Sequence, residues 1–124
     1  MEENNKIIAE FMGYALNEND EYPIEYITVQ GHWDTCSIQD LNYHKSWDWL
    51  MKVVEKITSI LMLDDNYKYN YLYIGYDFED KEHYVNLYVS EDTQLNGSSK
   101  NSKIEATYKA VVKFINFYNK QKEE

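Results

Sequence analysis

Apolar residues return every three or four positions in three stretches of the chain and every second position in a fourth, and these two periods carry the structural expectation. In residues 6–16, Ile8, Phe11, Met12 and Ala15 fall on one helical face, with Asn4 or Asn5 before them as N-cap. Ser46 precedes the next helical pattern, residues 47–62, and Asp48 sits in its first turn, where the helix dipole favours a carboxylate. Trp47, Leu50, Val53, Val54, Ile57, Ile60 and Leu61 form the apolar stripe of that helix, leaving Lys52, Glu55, Lys56 and Ser59 to face water. A third helix opens at Ser102, which makes a capping-box pattern with Glu105, and buries Ile104, Tyr108, Val111, Ile115 and Tyr118.

Strict alternation over residues 67–78 and 83–90, on either side of Glu79, Asp80, Lys81 and Glu82, predicts an antiparallel hairpin. The β-branched run within residues 25–30 predicts an earlier strand, Gly31 a turn, and residues 35–39 a returning strand. Residues 95–102, rich in Gly, Ser and Asn, read as a flexible connection into the last helix. The order helix, one or two strands, helix, hairpin, helix predicts an α+β fold. It has a small antiparallel sheet of three or four strands packed by three helices. A chain of 124 residues is expected to form one domain over 1–124.

Period two also sorts the hairpin into faces. Leu72, Ile74, Tyr76 and Phe78 share one face of the first strand, and Tyr67, Tyr69, Tyr71 and Tyr73 the other. In the second strand, His83, Val85, Leu87 and Val89 oppose Tyr84, Asn86, Tyr88 and Ser90. Pairing the aliphatic sets leaves a tyrosine-rich face. Tyrosine combines a large contact area with few rotatable bonds and a hydroxyl that tolerates water, so this face is expected to bind a protein. The competing reading is that a helix covers it, or that the tyrosines only stiffen an exposed sheet through cross-strand pairs. On the last helix, Phe117 falls opposite the buried stripe, beside Lys113 and Lys120, as a second candidate contact for a partner or a homodimer.

Charge narrows the partner. The formal net charge is -10, and nearly all the excess lies in residues 1–50, where ten acids face only Lys6 and Lys45. All 12 cationic side chains are lysines, so no guanidinium is present to read guanine or clamp a phosphate in a fork. Direct nucleic-acid binding is therefore disfavoured, including base stacking on the tyrosines. The same charge would attract a basic protein surface, such as the nucleic-acid groove of an effector. Absence of a run of about 18 apolar residues argues against a membrane span, and residues 1–5 lack the basic, apolar pattern of a secretory signal. A single cysteine, Cys36, excludes an intramolecular disulfide. A cytoplasmic location is the expectation.

Candidate chemistry is sparse. His32, Asp34 and Cys36 would share one strand face, with His44 downstream, yet a zinc site needs three or four converging ligands and a nucleophilic cysteine needs an oriented base. Ordinary turn and strand roles account for these residues as well. Gly97, Ser98, Ser99 and Lys100 precede a helix but lack P-loop spacing. No nucleophile elbow, dinucleotide fingerprint or His/Glu zinc signature occurs. The reading is of a non-enzymatic chain with no catalytic residue, metal or cofactor.

Three stretches carry a resemblance. They are residues 7–13 (Ile-Ile-Ala-Glu-Phe-Met-Gly), residues 43–57 beginning Tyr-His-Lys-Ser-Trp-Asp-Trp-Leu-Met, and residues 104–115 beginning Ile-Glu-Ala-Thr-Tyr. Together they resemble a widespread group of small proteins of phages, prophages and Bacteroidetes-like bacteria. The resemblance implies an origin rather than a mechanism, since its residues are those of core stripes and caps. In general character, a small acidic phage-like protein is similar to inhibitors of host defence, including anti-CRISPR proteins and DNA mimics. That likeness implies a host nuclease or CRISPR effector as partner. The alternatives are a structural or accessory phage protein that self-associates through the sheet or Phe117, and a small hydrolase using His44 or Cys36.

Overall fold

Helix α1, Glu2–Phe11, ends where Gly13 takes φ +92° and its N–H, with that of Tyr14, turns back onto the carbonyls of Glu10 and Ala9 at 3.0 and 2.9 Å. This is a Schellman stop, and it favours glycine because a side chain resists that backbone region. The helix thus starts and finishes earlier than the apolar period suggests. Asn5, expected as a cap, lies inside it and is only 3% exposed. The computed structural model describes residues 2–16, 24–27, 30–63, 71–90 and 92–123.

Beyond α1 the chain forms β1 (Ala15–Leu16), β2 (Ile24–Ile27) and β3 (Trp33–Cys36), an antiparallel sheet in that order. Ala15, assigned by period to the first helix, is in β1 and exposed. β3 begins two residues before the expected return strand, and residues 38–40 wind into a short 3-10 helix instead of extending it. Asp40 accepts hydrogen bonds from the backbone N–H and hydroxyl of Ser37, both at 3.0 Å, which favours the turn over the strand.

Helix α2, Trp47–Leu63, starts as its sequence predicts, with the N–H of Trp49 donating to Ser46 Oγ at 3.4 Å. Leu50, Val53, Val54, Ile57 and Leu61 are buried. Trp47 is not part of that core: it stands at the first helical position, is 38% exposed, and has no preceding turn to shelter it. Lys56 departs from expectation in the other direction. It is half-buried, its Nζ donating to the carbonyl of Phe11 and lying 4.6 Å from the Phe11 ring centroid.

The second sheet contains β4 (Tyr71–Asp77), β5 (Glu82–Tyr88) and β6 (Gln94–Ser99), antiparallel throughout, with β5 central. The predicted hairpin is β4–β5, and its register pairs Leu72 with Leu87 and Ile74 with Val85. β6 occupies residues expected as a flexible loop. Its low apolar content misled the periodicity reading, because Gly97 and Ser99 fill buried positions that a strand pattern normally gives to larger side chains. A Cβ on Gly97 would lie 2.1 Å from the Ala106 carbonyl oxygen, so glycine is what lets β6 approach helix α3, Lys103–Glu123.

Ser102 caps α3 by accepting from the N–H of Glu105 at 3.1 Å. The reciprocal half of the expected capping box is replaced: the N–H of Ser102 donates to Ser99 Oγ at 3.2 Å, and Glu105 instead pairs with Lys109 at 3.2 Å. α3 lies over β5 and β6, and its buried face joins α1 and α2 around Phe114, Ile115 and Tyr108. Where α2, α3 and the second sheet meet, the gap between Val54, Leu72, Val85 and Ala110 is only about 10 Å³, too small for ordinary solvent. The fold is α+β, with β1 and β6 added to the predicted elements. No helix among the described residues is long and apolar enough to cross a membrane.

Candidate protein-binding face

With Val85 and Leu87 turned under α3, the pleat sends Tyr73, Tyr84, Asn86, Gln94, Asn96 and Ser98 to the opposite side of the second sheet. No helix covers Tyr73, which is 52% exposed. Its ring lies 5.8 Å from that of Tyr84, and their hydroxyls are hydrogen-bonded, which raises the Tyr84 pKa. Gly75, cross-strand from Tyr84, leaves room for that ring: a Cβ there would meet the ring end at 2.6 Å. Tyr88 is half-buried and paired in register with Tyr71. Of the other predicted tyrosines, Tyr67 and Tyr69 lie outside the described residues, as does the side chain of Tyr71.

The closed end of the hairpin adds residues that period two had assigned to the core. β4 ends at Asp77, whose Oδ1 accepts from the N–H groups of Glu79 and Asp80 at 2.9 and 3.0 Å. This Asx turn takes Phe78 out of the alternation, and its ring is 85% exposed. Tyr76 keeps its predicted parity but extends beyond the cover of α3, 37% exposed, with Phe78 at 5.0 Å and His83 at 4.8 Å between ring centroids. Asp77, Glu79, Asp80 and Glu82 belong to the same hairpin end, with Lys81 the one cation among them. An aspartate followed by two more acids signalled a turn beginning at 77, and counting from there would have released Phe78 from the core.

Phe117, the second predicted contact, is corrected by the structure. It is half-buried and packs against the main core, because α3 is flanked by α1 and α2 and buries a wider arc than one stripe. Its ring is therefore not the fully exposed contact that a single buried stripe implies.

The His/Cys candidates do not converge. Among the described residues no group of three or more His, Cys, Asp and Glu side chains is placed to hold a metal ion. Cys36 packs against the core, and burial followed by the nearby Asp40 and Asp34 raises its thiol pKa, the reverse of what a nucleophile requires. His44 belongs to a structural network. Asn5 Nδ2 donates to the Leu41 carbonyl at 3.3 Å, and its second hydrogen is directed to His44 Nδ1 at 3.1 Å, while the Tyr108 hydroxyl donates to Asn5 Oδ1 at 2.9 Å. His44 Nδ1 is thus the unprotonated nitrogen. Burial, then Lys45, lowers the His44 pKa.

This arrangement has a pH consequence. Since the folded His44 pKa lies below the unfolded value near 6.5, its contribution to stability is full above about pH 6.5 and is lost as pH falls through the lower folded value. Protonation would set two donors face to face between Asn5 and His44. The melting temperature should fall from pH 7.5 to 5.5 in the parent chain, and by less in His44→Gln. Equal falls would remove His44 from the cause.

Comparison with known proteins identifies no relative: no family model, no curated protein and no solved structure matches the chain.

Proposed function

We propose that this chain works by stoichiometric, non-catalytic binding of another protein, gripping a basic surface with the open aromatic end of the β4–β5 hairpin. In its narrowest form this is a phage-type inhibitor that engages a nucleic-acid-handling effector, such as a CRISPR nuclease, in the host cytoplasm. The observation that carries the reading is the juxtaposition of Phe78 and Tyr76, both exposed, with four carboxylates of a hairpin end braced by Asp77, while Tyr73 stands exposed on the other face of the same strand. Exposed rings supply contact area that charge alone cannot, and the carboxylates select a cationic partner and speed its approach. The sheet behind them is pinned by α3, so little order has to be gained on binding. Absence of arginine and a net charge of -10 weigh against nucleic acid as the ligand.

The test compares the immobilised chain with a Tyr73→Ser/Phe78→Ser variant in capture from one bacterial lysate. Both replaced side chains are exposed, so the variant should keep the parent circular dichroism and melting temperature. The parent should retain a basic protein that the variant loses and that leaves when salt is raised to about 0.5 M, where charges are screened within a few ångströms. Equal retention by a folded variant, or salt-insensitive self-association as the only interaction, would overturn the reading.

A further inference from the structure

The second sheet ends on β4 at one side and on β6 at the other, and the two edges are not alike. Lys109 of α3 guards β6, donating from Nζ to the Ser98 carbonyl at 3.0 Å. Among the described residues only β5 pairs with β4, and the seven residues of β4 contain no lysine, proline or bulge. Those are the devices by which sheets keep an edge from pairing with another chain. The edge strands of the first sheet are shorter, β1 with two residues and β3 with four.

Rings stand exposed on both faces of this open edge. Tyr73 shares its face with Tyr84, Asp77 and Glu82, while Tyr76, with the Phe78 ring 5.0 Å away, lies on the other. A partner laid flat on either face meets only one of these groups. An extended segment along the outer edge of β4 meets both, because its own side chains alternate between the same two faces. We infer that the partner docks by strand addition: an extended segment of it hydrogen-bonds to the outer edge of β4, its lysine or arginine side chains on the Tyr73 face and its apolar side chains against Tyr76 and Phe78. This rests on the reading of the chain as a binder of a basic protein and names how that protein is held. Charge complementarity selects the occupant. On the Tyr73 face, cations find a ring to lie over and the carboxylates of Asp77 and Glu82, whereas the β4 of a second copy would bring no cation to the edge. Backbone bonds supply the affinity of such a joint, and the alternate side chains its selectivity.

The probe is a capped peptide of about ten residues, alternating lysine and valine, titrated into the full chain and followed by NMR and amide hydrogen exchange. Binding should saturate, and the alternate β4 amides that point away from β5 should become protected. In an extended peptide the lysine N–H groups lie along one edge and the valine N–H groups along the other. N-methylation of all the valines, or of all the lysines, therefore blocks one edge at a time. One of the two methylated peptides should bind at least about tenfold more weakly, the loss of two or three backbone bonds, and the other should bind as the parent does. A peptide with glutamate in place of lysine should not bind. Parent-like affinity of both methylated peptides, or binding without protection of β4, would overturn strand addition while leaving a grip by rings and carboxylates in place. No saturable binding of the parent peptide, or equal binding of the glutamate peptide, would also overturn the inference; the reading beneath it stands or falls by the lysate capture.

Discussion

Gly97→Ala should unfold the contact between β6 and α3, lowering stability by roughly 3 kcal/mol or more, at the upper end of what overpacking does. The added Cβ would lie 2.1 Å from the Ala106 carbonyl oxygen and 2.7 Å from the Ala110 amide nitrogen, both backbone atoms of a helix that cannot move aside singly. Relief requires α3 to lift away from the sheet, which would expose Val85, Ala106 and Ala110. For a chain of this length the melting temperature should drop by roughly 10–15 °C in a thermal scan followed by circular dichroism. Gly75→Ala is the internal control, because its Cβ meets only the outer ends of the Tyr84 and Tyr73 rings, at 2.6 to 2.8 Å, which can swing outward. It should cost less than about 1 kcal/mol. A Gly97→Ala melting temperature within a few degrees of the Gly75→Ala value would mean that strand and helix are not in close contact.

Asn5→Ala should be nearly as damaging, at about 2–4 kcal/mol, because it strands several buried partners at once. The Tyr108 hydroxyl, the Leu41 carbonyl and His44 Nδ1 all lose the side chain that joins α1, α3 and the segment before α2. Tyr108 is 5% exposed and burial pushes its pKa up to about 12, so its hydroxyl has little water to turn to. Tyr108→Phe added to Asn5→Ala removes that orphan and should recover part of the loss. Urea denaturation of the two single variants and the double variant gives the coupling energy, expected at about 1 kcal/mol or more. Strict additivity would mean the Tyr108–Asn5 bond contributes nothing.

Legibility followed local chemistry. Ser46 and Ser102 announced their helices because an N-cap acts within three residues, and the β4–β5 pairing was readable because alternation and a polar turn lie within about 20 positions. Asn5 was misread for the same reason: its residue type favours caps, and its actual partners, Leu41, His44 and Tyr108, lie 36 or more residues away. The misplacement of Phe78 came from extending a period through a turn that Asp77 opens, and that of Phe117 from assigning α3 one narrow stripe when its neighbours bury a wider arc. β6 carries too few apolar residues for its period to register.

The binding face was half readable on the same grounds. Alternation placed Tyr73 and Tyr84 together, and composition supplied the acidity. Whether that side stayed open depended on where α3 lay, which pleat and period do not specify. The exposure of Phe78 and Tyr76 emerges only once the turn and the edge of the helical cover are known.

The sequence by itself determined the α+β class, the capped starts of α2 and α3, the hairpin with its aliphatic pairs, and an acidic, arginine-free surface, since each depends on side-chain type at short separation. Tertiary structure alone decided that Gly97 and Ser99 form a strand, that Asn5 is a buried hub, and that α3 packs so as to leave exposed rings on both faces of β4. Those outcomes rest on close approach between elements distant in the chain, where space and hydrogen-bond partners, rather than local preference, set the lowest free energy.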